Sequence, residues 1–208
     1  MTDAAPSAPD LAAPTRRSTA TLSAFAASCL PYAALGLPVY VTLPEFYASH
    51  VGVSLSAVSL IFLVVRLADI VVDPLLGVII DRTSTKWGRY RVWMAIGAPI
   101  LMGSVAMLFF VGQGAGATHL AVWLVVMYLG YSISLLSQMS WAAVLSSDYD
   151  QRSRIYGFWQ VANILGVLAV LLIPVGAQGL GYTYVEAVRM QGGFIVGLLP
   201  IALLVTFL

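Results

Sequence analysis

Six apolar stretches, at about 21–45, 55–80, 92–113, 119–146, 155–176 and 191–208, each come close to the ~20 residues a helix needs to cross a bilayer. A backbone in hydrocarbon must satisfy its own hydrogen bonds, so this pattern restricts the chain to an all-α bundle of spanning helices. Composition supports the same solvent: of 208 residues, 60% are hydrophobic and 9% charged, too few charges to wet a soluble surface. The net charge of +1 gives no footprint for nucleic acid. A single cysteine, Cys29, excludes a disulfide framework and a cysteine-rich metal site.

The connections alternate in charge. Arg16 and Arg17 precede the first span, Arg82, Lys86, Arg89 and Arg91 fall between the second and third, and Arg152 and Arg154 between the fourth and fifth. The opposite side holds only Arg189. The positive-inside rule therefore puts the N-terminus and both basic connections in the cytoplasm. Residues 1–20, rich in Ala, Pro, Ser and Asp, have too little apolar content to fold and read as a disordered cytoplasmic tail. The first apolar segment is too long for the core of a secretory signal and reads as a retained helix. Residues 21–208 then form one six-helix unit of two three-helix sets. The last stretch reaches Leu208 with no polar flank, and the expectation is of a half-transporter whose C-terminal half is absent.

Three ionisable residues lie deep in the second span: Arg66, Asp69 and Asp73. Each costs ~2.5–3.5 kcal/mol at a helix centre, so something must compensate. Steps of three and four residues at 100° per residue place them on one helix face, with Gly77 continuing it. Counting from Asp81 at 1.5 Å per residue, Asp73 lies ~12 Å and Asp69 ~18 Å into the membrane. Pro74 cannot donate to the Ile70 carbonyl, which leaves an acceptor beside the carboxylates and predicts a bend in the helix. Two carboxylates and a freed carbonyl suit H⁺ or Na⁺, titrating as a coupled pair with Arg66 as charge partner. The competing reading is a static buried ion network that sets helix packing.

Polar stripes run along other spans. Tyr131, Ser134, Gln138 and Trp141 share one face of helix four, and Tyr156, Gln160 and Asn163, with Trp159, one side of helix five. Such faces suit a neutral polar solute through stacking and directional hydrogen bonds. They equally suit helix-to-helix adhesion by Ser, Gln and Asn. Pro31, Gly36, Pro38 and Pro44 predict a broken first helix near Tyr32, Tyr40 and Thr42. His50 and His119 sit at span ends, with no metal-ligand cluster and no nucleophile–base pair, so no enzyme, cofactor or structural metal is expected.

The run Arg66-x-x-Asp69-x-x-x-Asp73-Pro74-x-x-Gly77-x-x-x-Asp81-Arg82-Thr83, followed by Lys86-Trp87-Gly88-Arg89-Tyr90-Arg91, resembles the glycoside–pentoside–hexuronide:cation symporters. These are the melibiose-carrier branch of the major facilitator superfamily. The resemblance extends from about Tyr32 to Arg154 and implies the N-terminal half of a major-facilitator fold. It implies that Asp69 and Asp73 bind the coupling cation, with Ser134 as a nearby hydroxyl if Trp141 is the alignment anchor. Tyr32, Tyr131, Gln138, Trp141, Gln160 and Asn163 would line the solute site. Asp81, Arg82, Arg89, Arg91, Asp150, Arg152 and Arg154 would form a cytoplasmic gate, their competing reading being solvated basic anchors.

The departures also inform. Where the family's galactoside carriers place acids on helices one and four, this chain has Ala33 and Ser137, which argues against a galactoside. Val72 replaces an amide that helps hold Na⁺, which favours H⁺ relative to Na⁺. The implied function is H⁺- or Na⁺-coupled symport of a sugar or glycoside-like solute across the plasma membrane. A lipid-like or amphipathic solute, or a half-transporter fragment without independent activity, are the alternatives.

Overall fold

The computed structural model describes residues 18–145 and 149–207. Its six long apolar helices are α1 (Thr19–Val51), α2 (Leu55–Arg82), α3 (Arg89–Phe109), α4 (Ala117–Leu145), α5 (Tyr149–Gly179) and α6 (Tyr184–Phe207). Their ends follow local chemistry. The Ser18 hydroxyl accepts from the Ala20 amide at 3.1 Å to open α1, and Ser54 accepts from Ala57 at 3.3 Å to open α2. At α6, Thr183 N–H donates to the Glu186 carboxylate at 2.8 Å while the Glu186 N–H donates back to Thr183 Oγ1 at 3.4 Å, a reciprocal cap. Gly52, with φ of 89°, takes the left-handed conformation that ends α1.

Two boundaries differ from expectation. The first span runs on to Val51, beyond 45, because α1 does not stop at its prolines. The hydrogen-bond ladder slips into π-helical turns at Pro38–Thr42 and Tyr47–Val51, which absorb the missing donors while the axis continues. Residues 152–154, expected in the connection after helix four, lie instead in the first turns of α5.

Neighbour relations have an internal symmetry. α3 packs most extensively on α4; α1 lies against α5 and α6, α2 against α4, and α3 against α6. Exchanging α1 with α4, α2 with α5 and α3 with α6 maps these pairings onto themselves, as two three-helix repeats about a pseudo-two-fold require. Burial follows the same pairing. In the apolar windows, 67% of α1 and 50% of α4 are buried, but only 11% of α2 and 17% of α5. α1 and α4 are therefore central, and α2 and α5 present broad apolar flanks such as Leu63, Leu67, Ile70, Leu75, Leu165 and Leu172. Such flanks require lipid or another apolar body.

Without water to drive burial between helices, close backbone approach supplies the adhesion. A Cβ at Gly130 of α4 would sit 2.8 Å from the Leu101 backbone nitrogen of α3, and one at Gly166 of α5 would meet the Leu30 carbonyl of α1. Around these contacts one apolar core joins Leu35, Leu43 and Phe46 of α1 to Leu101 and Leu108 of α3, Leu124 of α4, Val170 of α5 and Ile195 of α6.

Candidate cation and solute site

Among the described residues Asp69 is the most buried charge, 7% exposed. Arg66, one turn earlier on α2, donates to its Oδ2 at 2.8 Å. From α4, the Ser132 hydroxyl donates to its Oδ1 at 3.2 Å. Both carboxylate oxygens are thus engaged, across the α2–α4 contact. Arg66 reaches in from the outer face, its side chain 57% exposed. Asp73, one further turn along, is half-buried, and its Oδ1 is buried with no hydrogen-bond partner. A buried acceptor without a donor costs about 1–3 kcal/mol unless a proton, ion or water satisfies it. α2 stays helical through Pro74. Beside Asp69 a cavity of about 40 Å³, lined by Val65, Ala68, Val72 and Tyr128 among others, has room for a water or a bare monovalent ion.

Ser134, expected beside the cation, points elsewhere. Its hydroxyl donates to the Gly130 carbonyl at 2.8 Å, and it lies where a side chain at Gly97 of α3 would be. Residues 132 and 134 differ by about 200° around a helix, so only one of them faces α2. That one is Ser132, which sequence reasoning missed. No sequence signal separated the two hydroxyls; in the fold Ser132 shares its face with Tyr128 and Leu129, which line the cavity beside Asp69.

The expected solute-lining residues divide. Tyr32 and Tyr131 meet edge to face with ring centroids 6.3 Å apart, and the buried Tyr32 hydroxyl has no partner. Between α1 and α4, Tyr40, Tyr128 and Tyr131 line a second cavity of about 40 Å³ with Leu35, Gly36 and Val39. Tyr128, also missed in the sequence, is a wall of both cavities and so joins the tyrosine cluster to the carboxylate. Gln138 is fully buried, and its amide donates to Ser28 Oγ at 2.6 Å and to the Phe25 carbonyl at 3.4 Å, tying α4 to α1. Its Oε1 is left without a partner. Asn163 donates to Cys29 Sγ at 3.8 Å, and Gln160 is exposed. Trp141 lies against Phe25, centroids 5.4 Å apart, near the C-terminal end of α4 rather than among the tyrosines. Ala33 is buried, and Ser137 donates to the Ile133 carbonyl at 2.6 Å, so neither offers a charge to a solute.

At the basic end, Asp81, Arg82, Arg89 and Arg91 are exposed. Among the described residues the one ion pair is Arg66–Asp69, so no cation at the basic end is paired with a described carboxylate. The Arg91 guanidinium lies 5.1 Å from the Trp141 ring centroid and that of Arg89 lies 5.7 Å from the Tyr90 ring. Arg152 donates to the Ala143 carbonyl at 3.0 Å, neutralising the end of α4. Arg154 is half-buried, and the side chain of Asp150 lies outside the described residues. Trp93 Nε1 donates to Thr83 Oγ1 at 3.0 Å, which fixes the end of α2 to α3. No His, Cys, Asp or Glu cluster that could hold a metal occurs among the described residues.

The sequence profile of the MFS/sugar transport protein family matches residues 24–208. A putative glycoside/cation symporter of Escherichia coli, YagG, is 30% identical over 67% of this chain and 32% of its own length. The isoprimeverose transporter of Lactiplantibacillus pentosus is 28% identical over 78% of this chain and 35% of its own length. An uncharacterized symporter of Bacillus subtilis, YnaJ, is 28% identical over 66% and 31% respectively. The chain thus spans about a third of the length of these relatives, which are transporters and not enzymes. With six spanning helices in two matched sets of three, the chain belongs to the MFS/sugar transport protein family, as a major-facilitator member like the glycoside–pentoside–hexuronide:cation symporters.

Proposed function

We propose that this chain supplies the cation site and one wall of the solute pathway in H⁺- or Na⁺-coupled symport of a sugar or glycoside-like molecule. The observation that carries the reading is the α2 carboxylate pair. Asp69 is buried and held by Arg66 and Ser132, while Asp73 has an unsatisfied buried oxygen one turn away. A cation settling between them satisfies the open acceptor and competes with the guanidinium for Asp69. The tyrosine cluster of Tyr32, Tyr40, Tyr128 and Tyr131 gives a sugar stacking faces and hydroxyl partners, and Tyr128 couples it to the ion. Gln138 and Trp141 act in this reading as struts between α1, α4 and the basic end. The apolar flanks of α2 and α5 are the surfaces a second bundle of the same kind would cover to complete the pathway. The basic connections support an orientation with the N-terminus in the cytoplasm, and the likeness to sugar symporters supports the plasma membrane as the location.

The test is solute-induced H⁺ or Na⁺ entry into vesicles, across a panel of sugars, for the full-length protein and its Asp69→Asn and Asp73→Asn variants. Cation entry driven by one sugar and abolished by either substitution supports the reading and names the ion. Uptake that ignores both gradients and both substitutions would make the carboxylates structural.

A further inference from the structure

A cavity of about 780 Å³ opens at the basic end of the bundle, away from the carboxylates and tyrosines. Its rim is Lys86, Trp87 and Arg91, and its wall is Val92, Ala95 and Ile96 of α3 with Phe207 of α6. Among the described residues no carboxylate lines it. We propose that this cavity binds an anionic phospholipid, phosphate at Lys86 and Arg91 and acyl chain along α3 and Phe207.

The amphipathic order of the lining carries the assignment. α3 rises 1.5 Å per residue, so Ile96 lies ~7.5 Å farther along the helix than Arg91, which is the displacement from a lipid phosphate toward its acyl chain. Ala95 and Ile96 are exposed, so the wall is continuous with the lipid-facing surface of the bundle. Trp87, 84% exposed, is the residue type that seats at headgroup level. Among the described residues neither Lys86 nor Arg91 forms an ion pair. The Trp141 ring, 5.1 Å away, holds the Arg91 guanidinium without neutralising it. A soluble anion would use the two cations but gain nothing from the apolar wall, whereas a zwitterionic lipid would use the wall and lose the charge. Basic pockets between spanning helices recognise anionic headgroups by this combination, each cation near the surface strengthening binding about fivefold.

The experiment is quenching of tryptophan fluorescence in the intact chain by brominated phosphatidylglycerol against brominated phosphatidylcholine in mixed micelles. The expected result is tighter binding of phosphatidylglycerol by about 25-fold, about fivefold for each of the two cations, with the saturable component lost in Trp87→Phe. Lys86→Gln or Arg91→Gln should each reduce the preference about fivefold and the double variant about 25-fold, while Lys86→Arg retains it. Arg152→Gln with Arg154→Gln, which removes two other cations from the basic end, should leave it unchanged. Equal quenching by the two lipids overturns the proposal, as does an equal loss in the Arg152/Arg154 variant, which would make the preference a diffuse surface field. Displacement by soluble glycerophosphate as effective as displacement by lipid would also overturn it, because the acyl wall would then contribute nothing.

Discussion

Arg66→Gln should tighten cation binding at the α2 carboxylates. Arg66 and an incoming cation compete for the same Asp69 oxygen, where the guanidinium donates at 2.8 Å. At that separation the Coulomb attraction is about 6 kcal/mol for an effective dielectric of 20 and about 1.5 kcal/mol for that of water. Taking the Arg66 side chain, 57% exposed, to face a water-filled solute pathway selects the screened end of this range. Losing about 1.5 kcal/mol of competition lowers the half-saturating cation concentration about tenfold. Binding is read as Na⁺- or Li⁺-dependent protection from thermal unfolding in micelles, since a ligand at free concentration L that binds only the folded state stabilises it by RT ln(1 + L/Kd). Arg66→Lys, which keeps the charge, should stay within about threefold of the parent. Weaker cation binding in Arg66→Gln would refute the reasoning, because Arg66 would then support the site rather than compete with its ion.

Ser132→Ala should move the same midpoint by about threefold or more, since it removes a donor to a charged acceptor, while Ser134→Ala should leave it within about twofold; the opposite ranking would restore Ser134 as the hydroxyl at the site. Gln138→Ala should lower thermal stability by about 1 kcal/mol, from two interhelical hydrogen bonds at ~0.6 each, and leave solute affinity unchanged, so a tenfold loss of affinity would place Gln138 in the solute site after all. Gly130→Val should destabilise by about 1–3 kcal/mol because Leu101 backbone blocks its Cβ, whereas Gly103→Ala, with open space around it, should not; melting curves of both distinguish the two. For orientation, Ser84→Cys should resist a membrane-impermeant thiol reagent added to intact cells and Gly114→Cys should react, against a quiet background because Cys29 is 1% exposed.

The arrangement of charge also explains what the bundle tolerates. Asp69 is affordable at depth because two donors from two helices converge on it, and Ser132 does so only because α4 lies against α2. Arg91, Arg89 and Arg152 end on aromatic rings and a helix carbonyl, so within the described residues the basic end is held by local packing rather than by ion pairs between helices.

The sequence by itself determined the number of spans and the membership of Arg66, Asp69 and Asp73 in one helix face. Each depends on quantities local in the chain: apolar length, charge position and the 100° step of a helix. It also supplied the Asp-Arg and Gly-Arg loop whose resemblance the family match bears out. Only the tertiary structure decided which hydroxyl of α4 meets Asp69, because choosing between Ser132 and Ser134 requires the rotation of α4 about its axis, set by the Gly97 and Gly130 contacts with α3. The same rotation turned Gln138 onto Ser28 and brought Tyr128 between the two cavities. Stripe periodicity states that residues share a face; which neighbour that face meets is a property of packing between helices distant in sequence.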